Sequence, residues 1–302
     1  MGLKPGERIA VITDEPCRNI GQALMQVARE LGNEVFLVEI PPRRTHGEEP
    51  PGEVAELMLA MDVVLCPTSK SMTHTNAKRN AQEKGVRVAT LPGVTEDMMV
   101  RCMNADYQKI AELTNKLGDL MEKTEKIRIS SLLGTDLVMP VEGRKAIRSH
   151  GLFREKGKGG NLPTGEAFIA PLEEHSNGLA VIDGSMAGIG ILREPLRIMI
   201  RNGYAREISG GEEAKKLMDL LAIHGPLSRN LAEFGIGTND RAKITGVILE
   251  DEKVLGTVHV AFGDNVTMGG SVKVESHLDG LITSPRVWFD EQMIMSDGKL
   301  LV

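Results

Sequence analysis

Three carboxylates and two imidazoles, widely spaced along the chain, are the side chains best suited to carry chemistry. They are Glu166, Glu233, His259, His277 and Asp279. Carboxylate oxygens and imidazole nitrogens are ligands for divalent metals such as Zn²⁺, Co²⁺, Mn²⁺ and Fe²⁺. The pair His277 and Asp279 carries the most weight, because residues two apart on a β-strand project from the same face and can bind one ion together. A metal-dependent enzyme is therefore the leading hypothesis.

The composition is that of a folded, water-soluble protein without affinity for nucleic acid. The chain has 302 residues, of which 41% are hydrophobic and 26% are charged, and this length suffices for two domains. Its formal charge of −6 gives no general attraction to nucleic acid. Basic residues do concentrate between positions 144 and 160, but that stretch is rich in glycine and indicates a loop.

The cysteines and the N-terminus predict a cytoplasmic protein. Cys17, Cys66 and Cys102 are odd in number and have no C-x-x-C spacing, which argues against a disulfide framework or a zinc ribbon. Charged Lys4 and Glu7 precede any long apolar run, so no signal peptide is expected. No apolar stretch is long enough to predict a membrane span.

The first third of the chain alternates short apolar runs with amphipathic ones, which predicts a doubly wound α/β domain. Strands are expected at 8–13, 34–40, 62–67 and 87–91, and helices at 19–31, 51–60 and 75–84. The polar segment 68–74 follows the third strand, where such sheets bind ligands. The first strand is not followed by G-x-G-x-x-G, so a nicotinamide cofactor is not expected.

A connector helix and a β-rich domain are predicted for the remainder. Helical periodicity extends from 94 to about 126, and we place the domain boundary after residue 125. The second domain, 126–302, is predicted to be a β-rich α+β metal-binding domain. Its strands include 166–170, 178–182, 196–200, 241–249, 257–262 and 281–287, and its helices 211–223 and 229–234.

Several segments, taken in order, resemble the signature segments of the aminopeptidase T family of metallo-aminopeptidases. They are Leu133-Gly134-Thr135-Asp136-Leu137, Asn161-Leu162-Pro163 with Gly165-Glu166, Ala232-Glu233-Phe234-Gly235-Ile236-Gly237-Thr238-Asn239, and His277-x-Asp279-Gly280. In the first domain, Ser71-Met72-Thr73-His74-Thr75 and Ala89-Thr90-Leu91-Pro92-Gly93 are similar to that family as well. The resemblance covers nearly the whole chain. It implies an N-terminal α/β domain, a C-terminal metal-binding domain and a homodimer.

The resemblance also implies a metal site and an activity. The family's metal-binding acids fall on Glu166 and Glu233, its first metal histidine on His259, and its closing pair on His277 and Asp279. The expected function is a hydrolase that removes N-terminal residues from peptides or cleaves a related small amide, with one or two Zn, Co or Mn ions. The general base is not identified; Glu275 and Asp264 are near in sequence only.

One departure from the family weakens the expectation of peptidase activity. The family has a tyrosine a few residues beyond the first metal histidine, whereas this chain has no tyrosine between His259 and His277. Two alternatives therefore stay open. One is a mononuclear Fe(II) ring-cleaving enzyme of the 2,5-dihydroxypyridine dioxygenase type, with His259, His277 and Asp279 as a two-histidine, one-carboxylate set. The other is a non-catalytic metal-binding relative. His74 and His224 are weaker candidates that we predict to line the substrate cleft.

Overall fold

The computed structural model describes all 302 residues, and they form two compact units. One unit comprises Met1–Gln108 with Gly151–Thr164, and the other Lys109–His150 with Gly165–Val302. The units divide the chain differently from the boundary predicted after residue 125. The reason is that the chain returns to the first unit to add a strand, Gly159–Asn161, to its sheet.

The strands and helices follow the chain in a regular order. The strands are β1 (Arg8–Thr13), β2 (Glu34–Glu39), β3 (Val63–Thr68), β4 (Arg87–Pro92), β5 (Lys126–Ser130), β6 (Asp136–Pro140), β7 (Ile147–Ser149), β8 (Gly159–Asn161), β9 (Glu166–Ile169), β10 (Asn177–Ile182), β11 (Ser185–Met186), β12 (Gly190–Ile191), β13 (Leu196–Arg201), β14 (Tyr204–Ser209), β15 (Leu231–Gly237), β16 (Val258–Gly263), β17 (His277–Ile282), β18 (Arg286–Phe289), β19 (Gln292–Ser296) and β20 (Lys299–Leu300). The α-helices are α1 (Arg18–Glu30), α2 (Gly52–Leu59), α3 (Asn76–Glu83), α4 (Glu96–Arg101), α5 (Tyr107–Met121), α6 (Gly211–Ile223) and α7 (Ile248–Asp251). Short 3₁₀ helices cover Glu15–Cys17, Pro226–Arg229 and Val266–Met268.

The N-terminal unit is a parallel sheet alternating with helices. Its strand order is β2-β1-β3-β4-β8, and every pairing in it is parallel. The five residues of β1 after Arg8 are all buried, as expected for a strand covered on both faces. The predicted doubly wound α/β domain is confirmed.

The C-terminal unit is built from two sheets that share one apolar core. The eight-stranded sheet has the order β14-β13-β10-β6-β5-β18-β19-β20, and the seven-stranded sheet has the order β12-β11-β17-β16-β15-β9-β7. Phe234 of the second sheet packs edge to face on Phe289 of the first, with ring centroids 6.4 Å apart. Buried side chains of both sheets belong to the same cluster, which therefore fills the space between them. The predicted β-rich α+β unit is confirmed.

Four predicted elements differ from the structure. Residues 229–234 were expected to be helical, but strand β15 begins at Leu231. Residues 241–249 were expected to form a strand, yet 241–247 contain no strand and α7 begins at Ile248. The connector region contains two helices, α4 and α5, and 281–287 is divided between β17 and β18. None of the helices has the length and apolar character needed to cross a bilayer.

Candidate metal centre

The seven-stranded sheet brings the five candidate ligands to one of its faces. Glu166 begins β9, Glu233 lies in β15, His259 in β16, and both His277 and Asp279 in β17. Residues directly opposite each other in paired strands share a face, as do residues two apart on one strand. The register pairs that relate them are Gly237–Glu166, Gly235–His259, Glu233–Ala261 and Ala261–Asp279. All five side chains therefore project from the face opposite to Phe234.

A glycine on the neighbouring strand leaves room for the imidazole of His259. Gly235 lies directly opposite this histidine, and a Cβ atom at position 235 would clash with the ring. The ring itself is fully buried. Glycine at 235 is therefore a steric requirement of the site.

The five side chains form a continuous chain of contacts. His259 Nε2 lies 3.1 Å from Glu233 Oε1 and 3.5 Å from Glu166 Oε2. On the other side, His277 Nε2 lies 3.1 Å from Glu233 Oε2 and 3.5 Å from Asp279 Oδ1. Ligand atoms within 4.8 Å of one another make up two sets, Glu166 with Glu233 and His259, and Glu233 with His277 and Asp279. Glu233 belongs to both sets, and His259 is grouped apart from His277 and Asp279.

Burial and neighbouring groups shift the pKa values of four of these side chains. Burial alone would raise the pKa of Glu233, but hydrogen bonds from His259 and His277 outweigh burial and hold it at about 2. Against the opposing effect of burial, contacts with Glu233 and Glu166 raise the pKa of His259 to about 9. The pKa of His277 is likewise raised well above its usual value, by Asp279 and Glu233. Desolvation raises the pKa of Glu166.

The hydrogen bonds around His277 fit a metal ligand. Its Nδ1 lies 2.9 Å from the carbonyl oxygen of Asp264, which can only accept, so Nδ1 carries the proton. The other nitrogen, Nε2, then faces Glu233 and Asp279, and a cation is needed between these atoms. Either a proton or a divalent metal can be this cation. Metal-binding histidines usually donate their other ring N–H to a carbonyl or carboxylate oxygen, as His277 does here. Two buried atoms of the neighbouring set, Glu166 Oε2 and His259 Nδ1, have no hydrogen-bond partner. The donor set therefore fits a divalent metal.

A lysine that sequence reasoning missed completes the cluster. The side chain of Lys253 is 1% exposed, and its Nζ lies 2.6 Å from Glu166 Oε1 and also contacts Glu252. Burial raises the pKa of Glu252 to about 8. In the sequence, Lys253 follows Glu250, Asp251 and Glu252, a pattern typical of an exposed charged turn.

The weaker candidates lie on other elements. His74 is exposed in the turn before α3 of the N-terminal unit, and His224 follows the C-terminal end of α6. Glu275 is exposed in the loop before β17, whereas Asp264 orients His277 through its backbone carbonyl. Assignment of His74 and His224 to a substrate cleft stays a prediction.

Comparison with known proteins identifies the family. The family model for NicX, 2,5-dihydroxypyridine 5,6-dioxygenase, matches residues 1–302. The chain belongs to the NicX family. The structure of 2,5-dihydroxypyridine dioxygenase from Pseudomonas putida KT2440 is similar, with a TM-score of 0.84, 20% identity, and coverage of 98% of this chain and 92% of that chain. No curated protein matches this sequence.

The resemblance to aminopeptidase T is a relationship of fold. Wild-type AmpT from Thermus thermophilus matches with a TM-score of 0.72 and 15% identity, covering 99% of this NicX-family chain and 95% of that chain. The expectation of a hydrolase or metalloprotease is wrong, because the family model over the full chain is that of a dioxygenase.

Proposed function

We propose that this NicX-family chain is a ring-cleaving dioxygenase that uses one Fe(II) ion and opens a dihydroxylated pyridine. The observation that carries the proposal is the match of the dioxygenase family model to all residues from 1 to 302. The site supports it independently, since the chain holds oxygen and nitrogen ligands suited to Fe(II) on one rigid sheet.

We assign the iron to Glu233, His277 and Asp279. These residues would hold the ion with one imidazole and two carboxylates, whereas the usual set of non-haem Fe(II) oxygenases has two histidines and one carboxylate. The His277 side chain is 31% exposed, whereas that of His259 is 0% exposed. Substrate therefore reaches the ion from the side of His277. The set differs from the His259, His277 and Asp279 combination expected from the sequence, because His259 groups with Glu166 and Glu233.

Bound Fe(II) supplies the redox centre that allows dioxygen to react with an electron-rich aromatic ring. The protein side chains hold and orient this centre. The Asp264 carbonyl fixes the proton on His277 Nδ1 and leaves Nε2 free as a ligand. Glu233 and Asp279 supply negative charge that favours a divalent ion over the two protons that the imidazoles otherwise bind. His259 restrains Glu233 through a 3.1 Å hydrogen bond.

The proposal is tested by oxygen uptake with 2,5-dihydroxypyridine as the probe. Protein purified anaerobically and loaded with Fe(II) should consume one molecule of O2 for each molecule of substrate. Asp279→Asn should bind Fe(II) at least about 100-fold more weakly, because even partners that only orient metal ligands are worth about 10- to 100-fold in affinity. Glu291→Gln is the matched control, since that carboxylate is 95% exposed on a hairpin. Absence of substrate-dependent oxygen uptake by iron-loaded protein would refute the proposal.

A further inference from the structure

Lys253 places a positive charge inside the ligand cluster. Its Nζ binds Glu166 Oε1 at 2.6 Å, and its side chain is almost fully excluded from solvent. An ammonium group is buried at this depth only when hydrogen-bonded carboxyl partners offset its loss of hydration. Glu166 and Glu252 provide these partners.

Hydrogen bonds around Lys253 hold its charge in position. Asp251 is fully buried and accepts hydrogen bonds from the backbone N–H groups of Thr245 and Gly246, at 2.7 and 2.9 Å. The backbone of Lys253 is bonded in both directions, since its N–H donates to Glu250 and its carbonyl accepts from Asn239. Hydrogen bonds of helix α7 and of the Lys253 backbone therefore position the ammonium group next to Glu166.

We propose that Lys253 is a positioning residue that restricts the centre to a single metal ion. The inference rests on the proposed function, because it takes Glu233, His277 and Asp279 as the iron ligands. The second ligand set, Glu166 with Glu233 and His259, has the residue types to bind a second divalent ion. Lys253 already binds one oxygen of Glu166 and supplies the positive charge that a second ion would supply.

The charge of Lys253 also favours a single ion. Its ammonium group contacts two carboxyl groups, those of Glu166 and Glu252. A second ion beside Glu166 would lie close to the ammonium group, and like charges repel strongly where water is excluded. Removal of the lysine charge should therefore open the second position.

The test counts bound Mn(II) in the full-length protein, with electron paramagnetic resonance as an independent readout. Wild type should bind one Mn(II) and give the six-line spectrum of an isolated ion. Lys253→Met should bind two and show the broadened spectrum of a coupled pair. Lys253→Gln removes the charge but keeps hydrogen-bonding capacity, and it should also bind two ions. Lys253→Arg retains the charge and should bind one.

The outcomes separate this inference from the proposed function. Wild type that binds no metal would refute the proposed iron centre. If wild type and the correctly folded variants Lys253→Met and Lys253→Gln all bind one ion, the role of Lys253 is refuted but the iron centre is not. Two ions in wild type would also refute the role of Lys253. Glu166→Gln provides a further check that does not depend on the lysine variants. It should still bind one ion, because Glu166 is not an iron ligand here, and loss of that ion would overturn the inference.

Discussion

Substitution of Gly235 by alanine should damage the metal centre through a single methyl group. The added Cβ would clash with the ring of His259, and this ring is fully buried. The backbone at Gly235 does not have positive φ, so alanine introduces no backbone strain there. The whole effect should come from displacement of the imidazole, which breaks its 3.1 Å hydrogen bond to Glu233.

The magnitude follows from these two effects. Overpacking of a well-packed interior costs about 1 to 3 kcal/mol, and loss of a hydrogen bond to a charged group adds about 1.5 to 3 kcal/mol. We therefore expect Gly235→Ala to lower the free energy of unfolding by about 2.5 to 6 kcal/mol. Affinity for Fe(II) should also fall, because Glu233 is both the partner of His259 and a proposed iron ligand.

Urea unfolding monitored by tryptophan fluorescence is a suitable assay. The chain has one tryptophan, Trp288, which lies on β18 in the same unit as the metal centre. Gly52→Ala is the matched control, since a Cβ at this helical position meets nothing within 4 Å. Its stability should be unchanged or slightly higher, because alanine favours helix more than glycine does. Equal stability and equal Fe(II) affinity of Gly235→Ala and wild type would refute the steric argument.

Two further predictions concern buried charges. Asp251→Ala should lower the free energy of unfolding by about 2 to 4 kcal/mol, because it removes a fully buried carboxylate that accepts from the part-buried backbone N–H groups of Thr245 and Gly246. Unchanged urea denaturation would contradict this. Arg87→Ala should destabilise the N-terminal unit by about 3 to 5 kcal/mol, because the Arg87 side chain is only 5% exposed and the substitution removes the ion-pair partner of Glu7. The control is Arg18→Ala, which breaks an exposed ion pair and should cause no comparable loss of stability in thermal melts followed by circular dichroism. Equal losses of stability in the two variants would count against the argument.

The sequence predicted the parallel sheet well because burial on both faces leaves a simple signal. Short apolar runs such as Arg8–Thr13, separated by helices, are typical of strands in a parallel sheet. Local patterns suffice there. The strand expected at 281–287 did not include His277 and Asp279, whereas β17 begins at His277.

Strand β15 was not recognised because its sequence lacks a strand signal. Leu231, Ala232 and Glu233 are good helix formers, and all seven residues from Leu231 to Gly237 are buried, so no alternation of polar and apolar residues appears. Pairing with two neighbouring strands decides its conformation. Tertiary contacts thus override local preference at the position of Glu233, a central ligand candidate.

Lys253 was missed for a similar reason. In sequence it continues a run of acidic residues, and charged runs usually lie in solvent. Only the fold shows that Glu250 and Asp251 are fully buried and that the loop directs Lys253 to Glu166. The absence of a tyrosine between His259 and His277 was, by contrast, visible in the sequence, and it was the feature that pointed away from a peptidase.

The origin of the oxygen atoms in the product tests the central claim most directly. Iron-loaded protein should be supplied with ¹⁸O2 and 2,5-dihydroxypyridine in ordinary water, and the product analysed at once by mass spectrometry. A dioxygenase places both atoms of one O2 molecule in the ring-opened product, so the mass should rise by four units. A product that takes its oxygen from water, or no ¹⁸O incorporation with complete iron loading, would contradict the assignment of this chain as a dioxygenase.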